Sequence, residues 1–403
     1  MGDFFQNGVI TTLHALGSRD EEALQREIYE HTRSRPLCLV LPSLYSELKG
    51  EALARIVEEL KGITYLHRVV VSLGEANEAQ FKKAVEYFKV LPFEVEILWN
   101  DGPRIAELKQ QMRESKLYLG QPGKGLAAWM AYGYALADSE VRAVALHDCD
   151  IKTYSKVLLH RLVYPIVNPD LDYEFCKGYY ARVTDTLHGR VTRIFVTPLV
   201  RALITILGHT SFLTYLDSFR YPLAGEFAMN VDVARLNRIP ADWGLEVGTL
   251  AEVHRNYSNR RVCQVDLDIE YEHKHQETSI DAPKLGLMRM AREIALAVFN
   301  ALAGEGALFS REFFNTLSIL YLRCAQDAIR QYNDLAAING LTYDRHMEDV
   351  MAEAFTRSLE SASREFLDNP LGNPQIPNWS RVRSAMPDVL DQLREAVEKD
   401  NRG

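Results

Sequence analysis

Four short, almost wholly apolar runs in the first 150 residues constrain this chain more than any other feature. They are Pro36-Leu-Cys-Leu-Val-Leu-Pro42, His67-Arg-Val-Val-Val-Ser72, Val95-Glu-Ile-Leu-Trp99 and Val141-Arg-Ala-Val-Ala-Leu146. Helical spacing separates them over residues 48–60, 78–88 and 126–137. A run without a polar face reads as a strand buried on both sides. Strand, helix, strand in this rhythm predicts a parallel sheet with crossover helices, hence an α/β, Rossmann-like fold. Ligands of such sheets bind beyond the carboxyl ends of the strands. The residues placed there are Ser43 and Leu44, then Ser72, then Asn100 and Asp101, then Asp148 and Asp150.

The fourth run breaks into His147-Asp-Cys-Asp150, two carboxylates spaced i, i+2. At a strand end both can reach one cleft. They repel, and leaving a buried strand adds a desolvation cost. A divalent cation bridging to a diphosphate offsets both, and hard oxygen ligands suit Mg²⁺ or Mn²⁺. The stretch therefore reads as an Asp-X-Asp metal site for a nucleotide-sugar, or as an acidic turn with no metal.

Other stretches add candidate chemistry. Gly120-Gln-Pro-Gly-Lys-Gly125 opens a helix with a flexible backbone, free N–H groups and one cation, which suits phosphate. It lacks P-loop spacing, and a surface turn is the alternative. Gly189-Arg-Val-Thr192 precedes a long apolar helix over 194–207 and could hold a phosphate or carboxylate; otherwise Arg190 caps or salt-bridges locally. Glu246 stands between two glycines, as a helix N-terminal acid or as a group orienting a sugar hydroxyl. A strand over 262–270 leads to His273 and His275, a pair beside acids that makes a ligand case.

Composition narrows the class. A net charge of −9 and pI near 5.7 argue against a general nucleic-acid or anionic-membrane binder. Five dispersed cysteines with no Cys-X-X-Cys pair read as reduced thiols of a cytoplasmic protein. No apolar run reaches membrane-spanning length, and no signal peptide is evident. Residues 1–35 read as a helical arm, 36–282 as the catalytic domain with a nucleotide-sugar half to about 150 and an acceptor half after it, and 283–403 as helical, with a proline-rich linker over 368–378. The helical region is expected to pack on the catalytic domain or to make a homodimer.

In order, Val40-Leu-Pro42, Pro122-Gly-Lys-Gly125, Asp148-Cys-Asp150, Lys177-Gly-Tyr179, Gly189-Arg-Val-Thr192, Pro222-Leu-Ala-Gly-Glu-Phe227, Gly244-Leu-Glu-Val-Gly248 and Gln264-Val-Asp-Leu267 leading to His273 resemble the retaining GT-A glycosyltransferases of the glucosyl-3-phosphoglycerate synthase family. The resemblance runs from about Pro36 to His275. It implies metal ligation by Asp148, Asp150 and His273, with Mg²⁺ or Mn²⁺ as the cofactor. It implies donor binding by Pro42, Leu44, Ser72, Lys124, Asp148, Leu223 and Trp243. Gly189, Arg190 and Thr192, with His275, would take the acceptor, and Glu246 and Asp150 would be catalytic. Departures fall at Tyr45-Ser46 and Ser72-Leu-Gly-Glu75, which touch base and ribose recognition, so a UDP- or GDP-hexose donor stays open. His275 stands where relatives carry asparagine.

The expected activity is metal-dependent transfer of glucose from a nucleotide-sugar to 3-phosphoglycerate, a step toward the compatible solute glucosylglycerate. A mannosyl donor or a glycerate-like acceptor is the alternative within the class. A nucleotidyltransferase, or a non-catalytic sugar-nucleotide binding protein, is the alternative outside it. Neither nucleic acid nor membrane is an expected partner.

Overall fold

A computed structural model describes residues 6, 8–17, 19–270, 286–371 and 374–402. The four apolar runs are strands β2 (Leu37–Leu44), β3 (Leu66–Gly74), β4 (Glu94–Trp99) and β5 (Ala143–Leu146). They join β1 (Thr11–Leu13), β6 (Phe175–Ala181), β7 (Phe227–Asn230) and β8 (Val262–Glu270) in one sheet of order β1-β8-β6-β7-β5-β2-β3-β4. All neighbours are parallel except β7, which runs antiparallel between β5 and β6. The expected α/β, mostly parallel sheet flanked by helices is present.

Alternation of side chains divides each apolar strand between two cores. Cys38, Val40, Val70, Val144 and Leu146 enter one. Leu37, Leu39, Leu41, Val69, Val71, Ala143 and Ala145 enter the other. The second core is covered by α1 (Glu21–Thr32), α2 (Glu51–Lys61), α3 (Glu78–Phe88) and α6 (Lys156–Val167). The first is covered by α4 (Pro103–Glu114), α5 (Lys124–Leu136), α7 (Thr197–Leu207), α8 (Ser211–Asp217), α9 (Val231–Leu236) and α10 (Leu245–Asn256). It continues without a break into α11 (Gly286–Gly304), α12 (Arg311–Ile338), α13 (Arg345–Asp368), α14 (Trp379–Ala385) and α15 (Val389–Arg402). No helix among the described residues is long and apolar enough to cross a membrane.

Several elements go beyond the sequence reading. The arm over 1–35 contains a strand as well as a helix: β1 pairs with β8, Thr12 facing Gln264. Three residues, two of them threonine, leave no periodicity to read; the neighbouring strand decides. α4 starts with Pro103 at its first turn, a residue whose missing N–H is an orphan there anyway. The proline-rich linker expected over 368–378 is docked at its far end: Ile376 N–H donates to Ile239 O at 2.9 Å, and Trp379 just after it is fully buried. The apolar helix read over 194–207 begins within a π-helical turn, Val191–Val196, and continues as α7.

Candidate active site

The strands β2, β3, β4 and β5 are parallel, so their carboxyl ends share one edge of the sheet. β5 stops at Leu146, and Asp148 and Asp150 follow in extended-to-turn backbone, both half-buried. Asp148 packs against Gly225; a Cβ there would stand 2.3 Å from Asp148 Oδ2, so a larger residue would displace the carboxylate. His147 is fully buried, takes Tyr154 Oη at 3.1 Å, and burial lowers it to about 4. It is a neutral support for the strand end.

Lys124 is the first residue of α5, and its Nζ stands between two carboxylates. It is 2.7 Å from Asp148 Oδ1 and 2.9 Å from Glu246 Oε1. Glu246, in the first turn of α10, is only 3% exposed, and its Oε2 has no hydrogen-bond partner among the described residues. Burial alone would lower the lysine, but Asp148 and Glu246 outweigh it and hold the ammonium well above the usual lysine range. Lys124 is thus a fixed positive charge.

The glycines around Lys124 serve contact as much as flexibility. A Cβ on Gly125 would meet Pro240 O at 2.0 Å, and one on Gly123 would meet Ala241 O at 2.5 Å. Leu126 N–H donates to Ala241 O. The expectation is of free N–H groups at the helix start for phosphate; the Leu126 N–H of that first turn is spent inside the protein.

Beneath this pair lies a second lysine that the sequence reading did not assign. Lys177 on β6 is 1% exposed, donates to Ala224 O at 2.5 Å and stands 5.0 Å over the Phe227 ring. Burial pushes it down to about 8, against the pull of Glu246 and Glu226. Glu226, fully buried, accepts from Tyr180 Oη at 2.7 Å. The signal was available: a lysine inside a run that is buried on both faces needs a partner.

The remaining candidates divide. Ser72 is buried at 1%; its hydroxyl donates to Ala127 O and accepts from Asn100 Nδ2, both at 2.8 Å, so it ties β3 to α5. It lies within β3, not after it. Pro42 and Leu44 end β2, with Leu44 43% exposed. Leu223 is buried, and Trp243 is half-buried, with its backbone N–H donating to Glu293 Oε2 at 3.2 Å. Gly189 has φ +72 and approaches Tyr221; Arg190 is bound by Glu348, and the Thr192 hydroxyl is buried without a partner among the described residues. His273 and His275 lie outside the described residues. Among the described residues no three His, Cys, Asp or Glu stand close enough to hold a metal ion. The carboxylate oxygens of Asp148 and Asp150 are hard donors at one strand end, and chemically they fit Mg²⁺ or Mn²⁺.

No family model matches the chain. The chain is 50% identical over 401 residues to glucosyl-3-phosphoglycerate synthase of Persephonella marina, covering 100% of this chain and 99% of the relative. It is 40% identical over 400 residues to the same enzyme of Methanococcoides burtonii, covering 98% and 97%. Among solved structures it resembles glucosyl-3-phosphoglycerate synthase from Mycobacterium tuberculosis in complex with Mg²⁺ and UDP, at TM-score 0.53 and 19% identity over 75% of this chain and 89% of that one. The complex of that enzyme with Mn²⁺, UDP-glucose and phosphoglyceric acid matches with the same TM-score, identity and coverage. At this identity the structures establish a shared fold.

Proposed function

This chain belongs to the glucosyl-3-phosphoglycerate synthase family of glycosyltransferases, and from that premise we propose that it transfers glucose from a nucleotide-sugar to 3-phosphoglycerate with retention at the anomeric carbon. The observation that carries this reading is Lys124 held between Asp148 and Glu246 at the carboxyl edge of the sheet. A cation and two acids, brought from three distant segments to the edge where α/β sheets bind ligands, suit a sugar diphosphate.

In this reading Asp148 and Asp150, with His273, would hold Mg²⁺ or Mn²⁺, which would supply positive charge to offset that of the diphosphate. Lys124 presents a permanent ammonium to the same phosphates, with Pro42, Leu44, Ser72, Leu223 and Trp243 around the donor. Glu246, buried and with one oxygen unpaired among the described residues, takes a sugar hydroxyl. Gly189, Arg190 and Thr192, with His275, receive the acceptor's phosphate or carboxylate. The acceptor hydroxyl oxygen bonds to the anomeric carbon as the carbon–phosphate-oxygen bond breaks, on one face of the sugar. The hydroxyl proton passes to the departing diphosphate, so the chain supplies position and charge and no protein base.

Nucleoside diphosphate release, measured with UDP- or GDP-glucose, Mg²⁺ or Mn²⁺, and 3-phosphoglycerate or glycerate, tests this. We expect release that requires the metal and 3-phosphoglycerate. Equal rates with glycerate overturn the phosphate-acceptor assignment, and pyrophosphate release from a nucleoside triphosphate with a sugar phosphate would make it a nucleotidyltransferase. We place the enzyme in the cytoplasm, since its five cysteines are free and four are buried. We propose a homodimer, for which Ile319 and Ile338 on α12, 72% and 85% exposed, are the candidate apolar contacts.

A further inference from the structure

Glu348 is a carboxylate in an apolar place. It lies on the face of α13 that buries Met351, Ala352, Phe355 and Leu359, and it is 4% exposed. A buried carboxylate requires cations. They come from the segment ahead of α7. Arg190 Nε donates to Glu348 Oε1 at 2.9 Å, and Arg193 Nη1 stands 3.2 Å from Oε2.

The two arginines are held differently. Arg193 is fixed on all sides: its Nε donates to His188 O at 2.8 Å, its Nη2 to Leu187 O at 3.1 Å, and its guanidinium lies over the Tyr332 and Tyr343 rings. The side chain of Arg190 is 30% exposed. Its Nε is taken by Glu348, while its two terminal nitrogens have no protein partner among the described residues. A guanidinium is planar by resonance, and anchoring it through Nε fixes the direction of its terminal fork, which binds a phosphate or carboxylate through two parallel hydrogen bonds.

We infer that Glu348 is a positioning residue for the acceptor: by engaging Arg190 Nε from the C-terminal helices it presents the free fork of Arg190 to the acceptor's oxyanion. The inference rests on the reading of Gly189 to Thr192 as the acceptor segment. It gives α13 a part in the reaction without contact with substrate. Thr192, two residues on in the same segment, has a buried hydroxyl with no partner among the described residues.

The test is steady-state kinetics of Glu348→Ala, Glu348→Gln, Arg190→Ala and the double variant Arg190→Ala/Glu348→Ala in the full chain. Glu348→Ala should raise the acceptor KM roughly ten-fold with the donor KM unchanged, the split expected for loss of acceptor binding alone. Glu348→Gln keeps the shape and one neutral acceptor for Nε, so it should fold and raise the acceptor KM about three-fold. In the Arg190→Ala background, Glu348→Ala should add nothing, because its effect passes through Arg190. The inference is overturned if Glu348→Gln keeps the parent KM, if donor and acceptor KM rise alike, or if the effect persists without Arg190. An acceptor KM unchanged in Arg190→Ala overturns the acceptor-segment reading and this inference with it. A raised KM in Arg190→Ala beside unaffected Glu348 variants overturns the inference alone.

Discussion

Lys124 decides the electrostatics of the site. Asp148 and Glu246 would face each other across a poorly solvated gap, and one ammonium reaches both. Removing one member of a buried ion cluster leaves an uncompensated charge. Lys124→Met should therefore lower kcat/KM by about 100-fold or more, the scale of a lost electrostatic stabiliser. It should also destabilise the fold by about 3 kcal/mol. Kinetics and urea unfolding of the same preparation check both. A variant with parent activity would remove Lys124 from the donor site. The lysine stands out in Pro122-Gly-Lys-Gly125 only by its place one helix ahead of Asp148-Cys-Asp150, since the stretch by itself equally suits a surface turn. Its partnership with Glu246 was not readable, since the two stand 122 positions apart. Glu348 and Arg190, 158 apart, were out of reach for the same reason.

At the scale of elements, α5 is the part on which the site depends, and the C-terminal segment holds it. Trp379 stacks on Trp129 with ring centroids 4.1 Å apart, and each indole N–H donates to the other segment's backbone: Trp129 to Pro377 O, Trp379 to Trp129 O. Gly133 makes the room, since a Cβ there would enter the Trp379 ring. Trp379→Ala should cost about 3–5 kcal/mol of stability, as large aromatic deletions in cores do. Thermal or urea unfolding reads the loss, and a change under 1 kcal/mol would show that the stack contributes little. The strands were legible because burial on both faces writes itself into a run of apolar residues. β7 was not: four residues, Phe227–Asn230, carry no period, and its antiparallel course is set by β5 and β6 on either side. The same holds for the proline-rich stretch before α14, which resembles a linker until Ile239 and Trp129 are placed beside it.

Across the whole molecule, the end of the described chain closes the sheet. Asn401 on α15 pairs with the exposed edge of β4, its Oδ1 accepting from Ile97 N–H at 3.0 Å and its Nδ2 donating to Ile97 O at 2.9 Å. An unpaired edge strand invites association, and this helix covers it. Glu96 lies on that edge with one oxygen buried and unpaired among the described residues. Burial first, then the charges of Glu94 and Glu398, push its carboxyl up to about 7. A folded-state value above the ordinary 4.5 means that the native state holds the proton more tightly. The stabilising difference is full below that ordinary value and is lost as pH rises through about 7. Glu96→Gln should match the parent near pH 5 and exceed it at pH 8 by on the order of 1 kcal/mol, solvent screening included. Unfolding across that range checks the sign; a variant less stable at pH 8 would refute it. The sequence by itself determined the apolar strands β2 to β5 and the carboxyl edge they share, because local hydrophobic pattern and turn residues act within a few positions; β1 and β7 it left unmarked. Only the tertiary structure decided which groups meet, because Lys124 with Glu246, Glu348 with Arg190, and Asn401 with Ile97 are joined by packing between distant segments, which no local pattern encodes.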